Sequence, residues 1–175
     1  MNKKIIFLYF FIVVLFLLVG IYISKNTKST QIQIKIPKIV RTKNKKESAM
    51  VKRVIDGDTI VLSDDRRVRY IGINTPELHS FSKSAQCFGT EAAAFNKKLV
   101  EGKEITLQKD VSDTDKYGRL LRYVWVGNIF VNEYLVKEGY ALQATYPPDV
   151  RYALLFQKAA ENARINNKGL WKTCR

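Results

Sequence analysis

Histidine and cysteine are nearly missing from this chain: His79 stands alone, and Cys87 and Cys174 are the two cysteines. A Cys/His zinc site takes about four ligands at short paired spacings, so none can form here. A pair of histidines trading a proton is likewise excluded. Any catalysis must rest on carboxylates, Arg, Lys or Tyr, or on a hard cation held by oxygen atoms. His79 itself reads as a surface loop residue.

Charge of either sign is missing from residues 5–23, I-I-F-L-Y-F-F-I-V-V-L-F-L-L-V-G-I-Y-I. As a helix this run would extend roughly 28 Å, close to the hydrocarbon thickness of a bilayer. Lys3 and Lys4 precede it as in a signal peptide, but no A-x-A-like site follows, and a signal h-region typically has only ~7–15 residues. The expectation is an N-terminal transmembrane or signal segment over residues 1–24, with an uncleaved single-pass anchor in the cell membrane favoured over a cleaved, secreted product. Lys25, Lys28, Lys35, Lys38 and Arg41 follow the segment, and the positive-inside rule would keep what comes next in the cytoplasm. The signal-like start argues for export, and the extracytoplasmic orientation is the one adopted. The cysteines depend on that choice: exported, Cys87 and Cys174 can bridge; in the cytoplasm they stay two thiols.

The formal net charge of +14 is unevenly spread. Residues 25–48 hold eight Lys/Arg against Glu47 alone and read as a basic linker, whereas residues 49–175 hold 20 basic and 15 acidic side chains. The globular part is thus mildly basic, which suits a polyanionic partner and equally an ordinary soluble domain. Within it, apolar alternation predicts strands over residues 50–55, 59–63, 68–73, 104–108 and 120–126. Helical patterning covers 89–100, 132–138 and 150–166, the last capped by Pro147-Pro148-Asp149. Short strands with helices between and after them give an α+β class with a small barrel rather than a parallel sheet.

Three polar stretches interrupt this pattern. In V-I-D-G-D-T-I-V-L, residues 54–62, an Asp-Gly turn accounts for Asp56 and Gly57 but leaves Asp58 unexplained. The third strand ends in I-G-I-N-T-P-E, residues 71–77, and T-D-K-Y-G-R, residues 114–119, precedes the last strand. Each alone is common turn chemistry; the three in this order are specific.

With V-I-D-G-D-T, R-Y-I-G-I-N-T-P-E, E-A-A-A-F and T-D-K-Y-G-R-L, the chain resembles the thermonuclease (staphylococcal nuclease-like) family over about residues 50–172. The resemblance implies a five-stranded oligonucleotide-binding (OB) barrel with three helices. It also implies a calcium-dependent phosphodiesterase acting on DNA and RNA, cutting P–O5′ bonds to leave 3′-phosphates. At the matching positions, Asp58 would give the cation a carboxylate oxygen, Asn74 a side-chain oxygen and Thr75 a carbonyl, with Asp56 shaping the site. Glu77 would position the attacking water and act as its base. Arg69 and Arg119 would clamp the scissile phosphate, Lys116 and Tyr117 would hold a neighbouring one, and Tyr146 would stack on a base. The chemistry suits these residue types, because a phosphodiester repels anionic nucleophiles and needs its transition-state charge neutralised. Guanidinium offers phosphate two parallel donors.

Asn74 stands where the family's type member carries aspartate, which removes a negative charge and predicts weaker calcium binding. The competing reading is an OB-fold module, tethered to the membrane, that binds single strands without cutting them. A membrane-tethered scaffold whose basic linker meets lipids is a third reading, but it leaves the three loops unexplained. The expected partners are DNA and RNA, with the membrane reached through the N-terminal segment, and the chain is expected to be a monomer.

Overall fold

The computed structural model describes residue 12 and residues 14–19, 21–22, 46–78 and 84–174. The expected linker up to residue 45, most of the apolar run and His79 lie outside the described residues. Residues 14–19 and 21–22 are helical. No helix among the described residues is long and apolar enough to cross a membrane.

Eight strands and four helices follow: β1 Lys46–Asp56, β2 Thr59–Leu62, β3 Arg67–Tyr70, β4 Ile73–Asn74, α1 Gly89–Val100, β5 Glu104–Gln108, β6 Leu120–Val126, β7 Ile129–Phe130, α2 Val131–Lys137, β8 Leu142–Gln143, α3 Ala153–Ile165 and α4 Leu170–Thr173. Five of these strands make the barrel. β1 pairs antiparallel with β5 through residues 46–50 and with β2 through residues 51–56. It can serve both because register shifts between Val51 and Arg53 and between Val54 and Asp56 bend it. β5 continues to β6, β2 to β3, and a parallel pairing of Val68 with Leu120 and Tyr70 with Arg122 closes the ring.

The interior is apolar because side chains alternate along each strand. Val68 and Tyr70 of β3, Ile105 and Leu107 of β5, and Tyr123 are buried, together with Val51, Ile60 and Leu62. Phe156 of α3 and Leu135 of α2 complete the core at one end. Asn132, fully buried, ties α2 to the barrel: its Oδ1 accepts the Val124 N–H at 2.9 Å and its Nδ2 donates to the Ile71 carbonyl at 2.9 Å.

The expected α+β class and five-stranded barrel are present, with differences of detail. The first strand starts at Lys46, inside the stretch read as linker, because Lys46 and Glu47 find partners in Gln108 and Leu107. The strand expected over residues 68–73 breaks at Gly72, whose φ of +80° turns the chain. A side chain there would meet the Phe156 ring. Ile73 and Asn74 then leave the barrel to pair with Gln143 and Leu142. Three longer helices match expectation and a four-residue fourth, α4, is added. The last long helix starts at Ala153, three residues late, with no side-chain cap. Asp149 does not cap it, because its Oδ1 instead takes the N–H groups of Val111 and Ser112 at 2.9 and 2.8 Å.

Candidate active site

Burying Val68 and Tyr70 inside the barrel turns Arg69, the residue between them, outward. Its guanidinium reaches four acceptors: Asp58 Oδ2 at 2.7 Å, Asn74 Oδ1 at 2.8 Å, and the carbonyls of Ile73 and Tyr70 at 3.1 and 3.3 Å. Asp58 sits below it, only 4% exposed, held by the Thr75 N–H at 2.8 Å and the Thr59 hydroxyl at 3.2 Å. Burial pushes the Asp58 carboxyl up to about 7, and the nearby Asp56 charge adds to this, while Arg69 and the Thr75 N–H pull the other way.

The β1–β2 turn that carries Asp58 is fixed from two sides. Asp56 Oδ1 accepts the Asp58 N–H at 3.1 Å. Buried Asn96 of α1 donates to the Asp56 carbonyl at 3.2 Å and accepts the Tyr70 hydroxyl at 3.1 Å. Gly57 lets Thr75 press against the turn, since a Cβ there would come within 2.6 Å of the threonine methyl. Asp56 therefore holds the turn that carries Asp58 through backbone contacts.

The second half of the site is the loop 113–119. Asp115 organises it, accepting the N–H of Tyr117 at 2.9 Å and of Arg119 at 3.0 Å on Oδ1, and Arg119 Nε at 2.7 Å on Oδ2. Burial alone would raise the Asp115 carboxyl, but these hydrogen bonds outweigh it and hold it below the usual range. Lys116 Nζ and the Arg119 guanidinium lie 5.0 and 5.4 Å from the Tyr117 ring centroid, cation–π contacts that order an otherwise exposed tyrosine. Arg119 also reaches Thr59 Oγ1 at 3.5 Å. Thr59 thereby links the two halves, touching Asp58 on one side and Arg119 on the other.

Arg69, Asn74, Lys116, Tyr117, Arg119 and Tyr146 line one cavity of about 620 Å³, together with Asp115 and Asp149. Six of the nine side chains singled out in the sequence thus meet. Asp58 and Thr75 lie behind Arg69 rather than in the lining. Glu77 is exposed and is not part of the lining either; its backbone is tied to the segment before α1. Tyr146 is 75% exposed at the rim.

The side chains missed in the sequence are Asp115, Thr59 and Asp149. Asp115 lay in full view inside T-D-K-Y-G-R. The other two act on residues 37–60 positions away, and nothing local marks them.

Whether the oxygen set fits a cation can be tested on Arg69. Among the described residues no three His, Cys, Asp or Glu side chains converge. Yet a carboxylate, an amide oxygen and two carbonyls already gather around one positive group. All are oxygen donors, the set a hard divalent ion takes, and with one carboxylate the set is low in negative charge.

A sequence model of the family described as staphylococcal nuclease homologue matches residues 67–173. The chain belongs to that family. Among its staphylococcal nuclease-like relatives are the thermonucleases of Staphylococcus intermedius and Staphylococcus hyicus. The first is 41% identical over 129 residues, covering 72% of this chain and 77% of the relative. The second is 38% identical over 122 residues, covering 68% and 72%. Endonuclease YncB of Bacillus subtilis is 37% identical over 137 residues, covering 74% and 65%. Every motif that carried the resemblance after residue 67 falls in the matched span.

Proposed function

We propose that this protein is a nuclease that hydrolyses phosphodiester bonds of DNA and RNA, with calcium as its cation, cutting P–O5′ bonds to leave 3′-phosphates. The observation that carries the reading is the pair of guanidinium groups, Arg69 and Arg119, lining one cavity beside a buried carboxylate. A cavity for a neutral ligand has no use for two arginines, whereas a phosphodiester monoanion that gains a second charge in a phosphorane-like transition state takes both. The names of the relatives, thermonuclease and endonuclease, point the same way.

In this mechanism Arg119, held by Asp115, donates to the phosphate oxygens and gains strength as their charge grows. Arg69 adds a second donor from the barrel side. Lys116 and Tyr117 bind the next phosphate, and Tyr146 offers a face for a base. Glu77 orients the water and takes its proton. Asp58, Asn74 and the Thr75 carbonyl would hold calcium, which when bound supplies charge neutralisation to the phosphate and polarises water.

We also place the domain outside the cytoplasm, tethered by the N-terminal apolar segment. The Cys87–Cys174 disulfide supports this, because such bonds persist in oxidising compartments.

The test is hydrolysis of single-stranded DNA and RNA by the purified protein, with calcium and with chelator, followed by analysis of the product ends. Calcium-dependent cleavage leaving 3′-phosphates is expected. Tight binding without cleavage at any calcium concentration would replace this reading with the binding-module one.

A further inference from the structure

Glu77 owes its place to a segment that none of the motifs includes. Gln86 grips its peptide from both sides: the Gln86 N–H donates to the Glu77 carbonyl at 2.9 Å, and Gln86 Oε1 accepts the Glu77 N–H at 2.9 Å. Gly89, at the start of α1, packs on the same carbonyl so closely that a Cβ would approach it to 2.6 Å.

Residues 84–87 are exposed, so burial does not hold this grip in place. Two solvent-exposed hydrogen bonds stabilise no more than the backbone entropy of ordering a residue or two opposes. The hold comes from the neighbours. Cys87 is bonded to Cys174, across 87 residues, just after α4. That helix is seated by buried Leu170, whose N–H donates to the Gly139 carbonyl at 2.9 Å. The Phe88 ring lies 5.4 Å from Tyr140, which stacks on Phe95 of α1 at 3.9 Å.

We propose that Gln86 is a positioning residue for Glu77, and that the Cys87–Cys174 disulfide is what keeps it in position, so that the C-terminus sets the placement of the carboxylate. The inference rests on the nuclease reading for its kinetic consequence. The disulfide here does not close a core; it anchors an exposed two-point grip on one residue of the site.

The test uses the full chain with Gln86→Met, Gln86→Glu and Cys174→Ser, each also combined with Glu77→Gln. Single-turnover cleavage, affinity for a single-stranded oligonucleotide in chelator, and hydrogen exchange of the Glu77 amide are measured. Gln86→Met and Cys174→Ser should each slow cleavage about tenfold or more with affinity unchanged, since a misplacement of about 1 Å costs up to ~10²-fold. Gln86→Glu, which keeps the acceptor, should retain most of the rate. In the Glu77→Gln background none of the three should have a further effect. Wild-type cleavage by Gln86→Met, affinity lost in step with rate, or losses undiminished without Glu77 would each overturn the proposal. Wild-type cleavage by folded Cys174→Ser would overturn the disulfide's part, and should that variant not fold, reduction of the bridge in the wild type with the same cleavage and exchange measurements decides it. Should the wild type not cleave at all, the nuclease reading has failed. Amide exchange still judges the grip in that case: unchanged protection of Glu77 in Gln86→Met would remove it, and lost protection would uphold it.

Discussion

Arg69 rises from a strand of the closed barrel, with its side chain 16% exposed and its guanidinium spread over Asp58, Asn74 and two carbonyls. Arg119 ends a surface loop, is 26% exposed, and is clasped by Asp115 on its Nε and by Thr59 on one Nη. Both line the same cavity, but they differ in what they share. Two of the four acceptors of Arg69, Asp58 and Asn74, are also among the oxygens proposed for the cation, so the arginine and a bound cation would compete for those two. Asp115 is among neither set of expected ligands, so Arg119 keeps its clasp whatever binds opposite. On the proposed function the loop arginine would be the pre-organised donor, and the barrel arginine the one whose partners would change with the state of the site.

Four measurements sharpen or break that contrast. Arg119→Ala should lower kcat by about 10²–10³-fold, the cost of losing one pre-organised donor. A loss under tenfold in single-turnover hydrolysis would mean that Arg119 merely decorates the loop.

Asp58→Asn tests the buried side. The unfolded carboxyl titrates near 3.8 and the folded one near 7. Between those values the unfolded chain releases its proton first, so the cation-free protein loses stability as pH rises from about 4 to about 7 and then levels off. Fully present below the lower value, this contribution is gone above the higher one. Asp58→Asn should flatten the profile and stabilise the protein at pH 8 in chelator by on the order of a few kcal/mol. Thermal unfolding against pH measures it, and a variant that keeps the wild-type decline would assign the decline elsewhere.

Asn74→Asp restores one negative charge to the oxygen set and should lower the half-saturating calcium concentration roughly tenfold. Calcium titration of both hydrolysis and thermal stability is the check; identical curves would show that residue 74 does not set the affinity. Asp115→Asn keeps acceptors for the Tyr117 and Arg119 N–H groups but removes the charge facing Nε, so kcat should fall by about three- to tenfold. No change would mean that the backbone turn alone holds the loop.

What the sequence revealed followed from local patterns. Alternation in R-V-R-Y sends Val68 and Tyr70 inward, and with them Arg69 outward, without any knowledge of the partner strand. The Asp-Gly turn falls where expected, as does α1 over Gly89–Val100. The motifs supplied Arg69, Asn74, Lys116, Tyr117 and Arg119 of the cavity lining, while Asp149 lies outside all of them. What was hidden depends on distant contacts. The end of β3 is decided by Gly72 meeting Phe156, 84 residues on. Asp149 looked like a helix cap because Asp after Pro-Pro usually is one, but two loop N–H groups claimed its carboxylate first. Glu77 was expected in the site from its motif and lies outside the cavity lining, whereas the glutamine that grips its peptide had no signature at all.

Barrel closure has a consequence for how a polymer can be met. The far side of β3 hydrogen-bonds to β6, so the strand bearing Arg69 offers no free row of N–H and C=O groups. An incoming chain cannot dock on it by adding a strand. It can be met only by protruding side chains; of those lining the cavity, Arg69, Lys116 and Arg119 can grip charge and Tyr117 and Tyr146 offer flat faces. On the proposed function such a surface would discriminate among polymers by their repeating backbone charge and leave their letters largely unread.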